Sequence, residues 1–373
     1  MNIIEYSEKR GGGMEELGYD IVFPDSYAIR KVYIELTDRC NLNCKMCYRG
    51  SWLDKARDMD KGIFDKLVED LKKVQNLKTV VLGGIGEPMY CKYFEEALHA
   101  LKEYNIEITT NGTLINQNNI DVLIDLVDTL TISIDGLCEK FYDIRGTSLE
   151  NIIESLEMLN LKKKEKKSKT PNIQIQFVGS KDNIDEVYGV IKLAGKLKAS
   201  KFIFSNVIPQ SEHYKDKILY KDKGENPDMN ILKRNLRTES FRYGMRLLMG
   251  NGELKTDRGC DFIDKVSTLI TADGNVSPCY RFAHSYKEYV FGREKNVKAH
   301  YFGNLKTQSL LGIWNSEEYK RFKYRVHTGN YPSCMDCDLI KGCSYTEDTL
   351  EDCYGLTPSC GDCLWARKYV ICP

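Results

Sequence analysis

The sequence carries no excess charge of either sign and no long apolar run. Its 54 lysines and arginines balance 54 aspartates and glutamates over 373 residues, so the overall field gives no argument for nucleic acid or a membrane surface as a partner. No stretch of about 18 apolar residues occurs, and residues 1–20 lack the basic start and apolar run of an export signal. We therefore expect a cytoplasmic protein without a membrane or nucleic-acid partner.

Histidine is scarce, whereas cysteine is abundant. The five histidines fall at spacings that offer no pair of metal ligands. The 14 cysteines argue against a disulfide framework in a chain without an export signal, because cytosolic thiols stay reduced. Clusters of such thiols more often bind metal, which makes metal binding by cysteine the first functional expectation.

Six short runs rich in β-branched residues alternate with helix-like segments. Each run predicts a buried strand, and segments such as 61–74 carry apolar residues at three- and four-residue steps. The predicted strands span residues 31–36, 79–84, 106–110, 130–135, 172–178 and 201–207. This alternation implies right-handed crossovers and a parallel sheet. We expect an α/β protein with a partial (β/α)6 barrel, whose chemistry lies at the carboxyl ends of the strands.

The pattern loosens after about residue 209, and the composition then becomes rich in cysteine. We predict an N-terminal segment over 1–28, a barrel over 29–210, a linker and helical bridge over 211–255 and a cysteine-rich domain over 256–373. The N-terminal segment is either a small peptide-docking feature or a loose arm, and we favour the first.

Three cysteines follow the first predicted strand in the order C-x3-C-x2-C. Cys40, Cys44 and Cys47 lie on a loop that can wrap a compact metal centre. Structural zinc sites and electron-transfer clusters usually take four protein ligands, so three thiolates leave one metal position open. An open position lets a metal hold and activate a substrate or cofactor. A half-formed zinc site or incidental thiols are the alternatives for this loop alone.

A C-x3-C-x2-C loop after the first strand of a (β/α)6 chain resembles the radical S-adenosylmethionine (SAM) superfamily. The resemblance implies a 4Fe–4S cluster held by Cys40, Cys44 and Cys47, whose open iron binds SAM. It also implies reductive cleavage of SAM to a 5′-deoxyadenosyl radical. Met46 stands where the superfamily often has an aromatic residue against the adenine, and methionine is apolar and adaptable enough to keep that role.

Three further segments resemble SAM-binding motifs of the superfamily. "GGIGEP" ends the second predicted strand, "TTNGT" the third and "SIDG" the fourth. Glycines let backbone approach a ligand closely, and a carboxylate beyond them can accept hydrogen bonds from an ammonium group. Arg145 matches an arginine that pairs with the SAM carboxylate in related enzymes. The resemblance implies that SAM is bound by Met46, Gly83, Gly84, Glu87, Pro88, Asn111, Ser133, Asp135 and Arg145.

The C-terminal cysteine pattern is similar to the SPASM extension of this superfamily, which binds auxiliary 4Fe–4S clusters. The step from Gly274 to Cys279 fits that pattern, as does a C-x2-C-x5-C run that begins at Cys334. Glu347 stands where a further cysteine is usual. Asp273 and Gly274 also predict the turn of a hairpin. The resemblance implies one or two auxiliary clusters among Cys260, Cys279, Cys334, Cys337, Cys343, Cys353, Cys360, Cys363 and Cys372.

Nine thiols exceed the eight that two closed clusters require. We expect two sets, the first made of Cys334, Cys337, Cys343 and Cys363, and the second of Cys260, Cys279 and Cys353 with either Cys360 or Cys372. Structural zinc is the alternative for this region, because C-x2-C pairs also form zinc ribbons.

Two segments, 205–210 and 352–373, resemble a subgroup of the superfamily, the maturases encoded alongside tungsten-cofactor oxidoreductases. The resemblance implies an enzyme that abstracts hydrogen from a peptide or protein, preferably a tungsten oxidoreductase, with a reducing partner such as flavodoxin or ferredoxin. The alternatives are a maturase that cross-links a small peptide or modifies an anaerobic sulfatase, and a non-catalytic iron–sulfur electron carrier. The sequence indicates no individual catalytic residue.

Overall fold

The computed structural model describes residues 22–26 and 28–371. Within these residues the strands are β1 (Lys31–Ile34), β2 (Thr79–Leu82), β3 (Asn105–Thr110), β4 (Thr129–Ser133), β5 (Asn172–Gly179), β6 (Lys201–Asn206), β7 (Arg246–Met249), β8 (Ser267–Ile270), β9 (Asn275–Ser277), β10 (Tyr286–Val290), β11 (Arg293–Val297) and β12 (Gly303–Asn304). The α-helices are α1 (Lys61–Leu71), α2 (Phe94–Ala100), α3 (Ile120–Leu126), α4 (Cys138–Arg145), α5 (Leu149–Glu165), α6 (Val187–Lys196), α7 (Glu212–Lys215), α8 (Pro227–Arg242), α9 (Asp261–Asp264), α10 (Leu310–Trp314) and α11 (Glu317–His327).

A parallel sheet in the order β1 to β7 forms the centre of the molecule. All six predicted strands are present, so the expected α/β partial barrel is confirmed. Alternate side chains of each strand face the surrounding helices and the lumen of the barrel. Val80 and Leu82 of β2, for example, belong to the main apolar core, whereas Val81 between them packs in a separate cluster.

The helices cover the outer face of the sheet through apolar stripes. In α1, Ile63, Phe64 and Leu67 are buried at three- and four-residue steps, and Asp60 caps the first turn by accepting a hydrogen bond from Gly62 N at 2.9 Å. Asp70 of the same helix is buried, and its Oδ2 accepts a hydrogen bond from Leu310 N at 3.0 Å. This contact ties the C-terminal region to the barrel.

The segment predicted as a linker and helical bridge, 211–255, also contains a strand that the sequence analysis missed. After α8, β7 pairs in parallel with β6, with Arg246 opposite Lys201. β7 has only four residues and starts with an exposed arginine, so it lacks the β-branched pattern by which the other strands were recognised. The sheet therefore continues one strand beyond the predicted barrel.

The cysteine-rich region joins the opposite edge of the same sheet. β8 pairs in parallel with β1, with Lys31 opposite Ser267, and β9 folds back on β8 as the predicted hairpin. Gly274 in the turn has a φ of +79°, which favours glycine. Barrel and tail therefore share one continuous set of backbone hydrogen bonds, which β12 closes at its edge.

The N-terminal feature predicted over 1–28 lies mostly outside the described residues. Residues 22–26 run beside α11, where Lys320 Nζ donates to Asp25 Oδ1 at 2.6 Å and Phe23 packs edge-on against Tyr324. Across the part of the chain that the structure describes, no helix combines the length and the apolar character needed to cross a bilayer.

Candidate active site

A cavity of about 240 Å³ opens where the barrel strands end on their carboxyl side. The thiols of the C-x3-C-x2-C loop form one part of its wall, and the ends of β3, β4, β5 and β6 form another. The segment after β2, Arg145 of α4 and four tail residues, Tyr280, Trp365, Val370 and Ile371, complete it. The predicted residues that line it are Cys40, Cys44, Cys47, Met46, Gly84, Glu87, Asn111, Ser133 and Arg145. Four separate sequence motifs therefore meet at one site.

The three-cysteine loop is held by its own backbone and by the neighbouring strand end. Cys47 N donates to Cys44 O at 3.1 Å. Leu42 N donates to Cys40 Sγ at 3.4 Å, and Asn111 Nδ2 donates to the same sulfur at 3.7 Å. Burial raises the pKa of the Cys44 thiol, with the nearby guanidinium of Arg145 opposing the rise, and burial likewise raises the pKa of Cys47. A bound metal provides the positive charge that converts such thiols into thiolate ligands.

Glu87 is a fully buried carboxyl group at the end of the "GGIGEP" segment. Its Oε1 accepts hydrogen bonds from Met89 N at 3.2 Å and Thr110 Oγ1 at 2.8 Å, and its Oε2 accepts one from Asn111 N at 2.7 Å. Burial raises the pKa of Glu87 to about 7, although these hydrogen bonds and Arg145 lower it. The group therefore changes charge near neutral pH, and in its ionised form it can pair with an ammonium group.

Glycines allow the same segment to pass very close to β1 and the loop after it. A Cβ atom on Gly84, whose φ is +127°, would lie 2.4 Å from Glu35 Cγ. A Cβ on Gly86 would lie 2.4 Å from Thr37 O. Because neither position has room for a side chain, the segment reaches the cavity as bare backbone.

Arg145, at the end of α4, is fixed by Asp135. Its Nε donates to Asp135 Oδ2 at 2.6 Å and its Nη2 donates to the same oxygen, while Asp135 Oδ1 accepts a hydrogen bond from Val178 N at 2.7 Å. Asp135 is completely buried. One edge of the guanidinium is therefore held in place, and the arginine itself lines the cavity.

Three of the predicted SAM-binding residues do not line this cavity. Asp135 lies behind Arg145, while Gly83 and Pro88 flank the residues of the "GGIGEP" segment that do reach the wall. Met46 is buried and packs with Ile144, Val207 and Tyr214, so its apolar side chain sits at the edge of the site rather than in solvent.

A second cavity, of about 700 Å³, occupies the lumen of the barrel and shares Thr109, Tyr280 and Trp365 with the first. Four tail thiols line it, namely Cys260, Cys279, Cys360 and Cys363. Burial raises the pKa of Cys279 well above its usual value, and its neighbours Cys260 and Cys363 raise it further. Burial and the same group of neighbouring thiols also raise the pKa of Cys360.

The other described tail thiols, Cys334, Cys337, Cys343 and Cys353, do not line this cavity. Burial and Asp362 raise the pKa of Cys334, and Cys353 raises it further despite the opposing charge of Lys295. Burial raises the pKa of Cys353, to which Asp352 and the neighbouring thiols Cys343 and Cys337 add.

The positions of two thiols differ from the grouping expected from the sequence. Cys363 lines the lumen with Cys260 and Cys279, whereas Cys353 lies near Cys337 and Cys343. Cys372 lies outside the described residues. Which thiols share a cluster therefore remains a prediction, and contacts between distant segments decide which of them lie close together.

Buried charges lie beside both the lumen thiols and the other tail thiols. Arg281 Nη2 donates to Glu288 Oε1 and, at 3.2 Å, to Asp362 Oδ1, and Lys295 Nζ donates to Asp362 Oδ2 at 3.1 Å. All four side chains are at most 1% exposed. Burial raises the pKa of Cys363, and the positive charge of Arg281 beside this thiol opposes the rise.

A buried pair of Glu35 and His284 links the tail to the first cavity, and the sequence analysis missed it. His284 Nε2 lies 2.9 Å from Glu35 Oε2, and the imidazole stacks on Trp52 with ring centroids 3.8 Å apart. Burial lowers the pKa of His284, but Glu35 and Asp38 outweigh burial and the net pKa is raised. The sequence does contain one indication of this pair, because Glu35 is an acidic residue inside the apolar run "KVYIEL".

The side chains present fit thiolate-held iron–sulfur clusters with SAM at the first cavity. All the candidate ligands are soft sulfur donors, and a carboxyl group and a guanidinium stand in the same wall as the three thiols. Within residues 22–26 and 28–371, no three histidine, cysteine, aspartate or glutamate side chains are arranged to hold a single metal ion.

Comparison with known proteins agrees with this site. The model of the radical SAM superfamily matches residues 34–204, and that of an iron–sulfur cluster-binding SPASM domain matches residues 260–338. The tungsten-containing aldehyde ferredoxin oxidoreductase cofactor-modifying protein of Pyrococcus furiosus is 35% identical over 353 residues, which cover 92% of this chain and 97% of that protein.

Solved structures share the fold at lower identity. Native anSMEcpe with bound AdoMet has a TM-score of 0.57 at 18% identity and covers 91% of this chain and 94% of its own. Streptococcus suis SuiB bound to the precursor peptide SuiA has a TM-score of 0.57 at 16% identity and covers 89% and 75%. The chain belongs to the radical SAM superfamily, among the enzymes that carry a C-terminal SPASM iron–sulfur domain.

Proposed function

We propose that this enzyme cleaves SAM reductively at the first cavity and abstracts hydrogen from a peptide or protein during the maturation of a tungsten-containing oxidoreductase. The observation that carries the proposal is the meeting of Cys40, Cys44 and Cys47 with Glu87 and Arg145 in one wall. When bound at such a site, SAM supplies a 5′-deoxyadenosyl radical. An electron carrier that binds no SAM gives no reason for the carboxyl group and the guanidinium to stand beside the thiols.

Each wall residue has a binding role in this proposal. Ionised Glu87 accepts hydrogen bonds from the SAM ammonium group, and Arg145, oriented by Asp135, pairs with the SAM carboxylate. Asn111 and Ser133 bind polar groups of the nucleoside, and Met46 packs against its adenine. The backbone at Gly84 brings the segment close enough for these contacts.

The lumen holds the substrate next to this site. It adjoins the first cavity, with which it shares Thr109, Tyr280, Trp365, Val370 and Ile371. A water-poor enclosure protects a reactive radical from side reactions. The lumen thiols lie in the same enclosure, where an auxiliary cluster can take an electron from the product. Delivery of the electron that cleaves SAM requires an external reductant, for which we propose flavodoxin or ferredoxin.

The choice of substrate rests on the relative from Pyrococcus furiosus, because its 35% identity extends over 97% of that protein. The solved structures, at 16–18% identity, share the fold alone, so they support neither peptide cross-linking nor sulfatase maturation as the activity. We therefore prefer an oxidoreductase as the protein that is matured.

Anaerobic reconstitution tests the proposal. Iron-replete protein with SAM and dithionite is expected to release 5′-deoxyadenosine, and co-expression with the oxidoreductase is expected to change the mass of that protein or of its cofactor. The Cys44→Ala variant is the control for both readouts. Iron-replete protein that releases no 5′-deoxyadenosine would favour the electron-carrier alternative.

A further inference from the structure

Two adjacent cations face the lumen at the amino ends of its strands. Lys201 begins β6 and Arg246 begins β7, and the two residues are direct partners in the parallel register. Both line the 700 Å³ cavity. They lie at the opposite end of the strands from the three-cysteine loop, so they belong to no part of the SAM site described above.

The nearby carboxyl groups are already engaged by other lysines. Glu107 Oε2 accepts a hydrogen bond from Lys31 Nζ at 2.7 Å. Asp261 accepts hydrogen bonds from both Lys265, at 2.9 Å, and Lys368. Among the described residues, Lys201 and Arg246 make no ion pair or side-chain hydrogen bond through their charged groups.

The surroundings of Lys201 are unfavourable for its charge. Burial lowers the pKa of Lys201, and Arg246, Lys31 and Lys265 lower it further, while Glu107 only partly opposes them. Like charges this close repel one another, and the half-buried position weakens screening by water. An anion placed between Lys201 and Arg246 removes that repulsion.

We propose that Lys201 and Arg246 bind a phosphate ester carried by the substrate. Two unpaired cations are neutralised by one phosphate monoester, which carries about −1.5 to −2 charges near pH 7, whereas one carboxylate neutralises only half of them. Arginine offers a planar fork to phosphate oxygens, and lysine adds a compact point charge.

One row of the lumen wall, between the cations and the SAM cavity, is polar and uncharged. Thr129, Thr131 and Gln174 provide hydroxyl and amide groups between the cations and Thr109, which is shared with the SAM cavity. The cavity of about 700 Å³ also contains the four lumen thiols, so a cluster held by them leaves the part beside Lys201 and Arg246 for a small ligand. Thr109, Thr131, Gln174 and Lys201 are successive partners in the strand register, so a molecule anchored by its phosphate at Lys201 can extend along this row toward the SAM cavity. The inference rests on the proposed function in taking the lumen as the substrate site, and it names the group to be modified as phosphorylated.

The test compares two probes of similar shape and different charge. Isothermal titration of the anaerobically reconstituted full chain with phenyl phosphate and with benzoate measures the preference for phosphate directly. The Lys201→Gln/Arg246→Gln variant is expected to bind phenyl phosphate at least about 10- to 100-fold more weakly, because the loss of even one charged hydrogen bond has an effect of that size. Arg246→Lys, which keeps the charge but loses the fork, is expected to lose less.

The Lys192→Gln/Arg237→Gln variant is the matched control, since it removes the same two charges from exposed positions on α6 and α8. Its affinity for phenyl phosphate is expected to equal that of the unsubstituted protein. Equal weakening in both double variants would mean that net charge alone causes the effect, and this result would overturn the proposed site. Binding of benzoate or an acidic hexapeptide as tightly as phenyl phosphate would overturn the assignment to phosphate. Release of 5′-deoxyadenosine by the unsubstituted protein reports separately on the proposed function.

Discussion

The three-cysteine loop and the tail bring thiols together in different ways. The loop gathers Cys40, Cys44 and Cys47 within one short stretch after β1, and the thiols remain partly exposed at a cavity wall. In the tail, Cys260 meets Cys360 and Cys363 from about a hundred residues further along the chain. A short loop can thus expose a reactive centre, whereas a centre assembled from distant segments depends on the fold that surrounds it.

Charge compensation differs in the same way. Near the loop, Arg145 has one carboxylate partner and still reaches the cavity. In the tail, Arg281, Glu288 and Asp362 are sealed from solvent in one network. Substitution of a loop residue should therefore reduce SAM cleavage more than it reduces stability. Substitution of a tail residue should mainly reduce stability.

The largest expected effect is the loss of SAM cleavage in Cys44→Ala. Removal of one of three thiolates destroys the loop centre, so release of 5′-deoxyadenosine should fall to background while the far-ultraviolet circular dichroism spectrum stays unchanged. Cys360→Ala is the matched tail variant, and it should keep the electron paramagnetic resonance signal of the loop cluster but lower the melting temperature. If the electron paramagnetic resonance signal of the loop cluster persisted in Cys44→Ala, the proposed difference between loop and tail would be contradicted.

Replacement of Arg281 by methionine should be the most destabilising change in the tail. It leaves Glu288 and Asp362 buried without this partner, which costs about 3–5 kcal/mol. Anaerobic thermal denaturation of the holoenzyme measures the effect. Arg281→Lys, which retains the charge, should lose clearly less, and Arg242→Met, which removes an exposed partner of Glu239, should change stability by about 0.5 kcal/mol or less. Equal losses in the buried and exposed variants would contradict the sealed network.

Gly84→Ala should separate backbone geometry from side-chain chemistry at the loop site. Its Cβ would lie 2.4 Å from Glu35 Cγ at a φ of +127°, so we expect a cost of about 1–3 kcal/mol and weaker SAM binding by equilibrium dialysis. Gly83→Ala is the control, because its Cβ meets Thr109 Cβ at 3.3 Å and needs only a small shift. A larger loss of stability and SAM binding in Gly83→Ala than in Gly84→Ala would contradict this explanation.

The smallest predicted effect is a pH dependence of SAM binding through Glu87. With a pKa of about 7, this group is protonated at pH 6 and ionised at pH 8, so SAM affinity should rise with pH by up to about tenfold over that interval. Asp38, whose pKa burial raises to about 6, titrates in part of the same range. Glu87→Gln isolates the contribution of Glu87, and its affinity profile should be nearly flat between pH 6 and 8.

The barrel strands and the loop site could be predicted because their signals are local. Each strand of the barrel has its own β-branched run, and the three cysteines, Glu87 and Arg145 follow strands in the order that a parallel sheet brings to one edge. β7 was missed because its four residues, which start with an exposed arginine, include no β-branched side chain. Its backbone pairing with β6 holds it in the sheet, and that pairing leaves no local pattern in the sequence.

The tail could not be predicted to the same depth because its contacts join distant segments. The sequence analysis grouped Cys363 with the C-x2-C-x5-C run, yet Cys360 and Cys363 both line the lumen. The pair of Glu35 and His284 joins residues 249 positions apart, and no local pattern reports such a contact. The predicted boundaries 28, 210 and 255 remain predictions.

The join between β8 and β1 has a further consequence for how this enzyme can change over time. Main-chain amides and carbonyls make that join, and every amino acid except proline carries both groups. Side chains of the barrel and of the tail can therefore be substituted, which alters the substrates that the pocket accepts, while the pairing of β1 with β8 keeps the distance between barrel and tail constant.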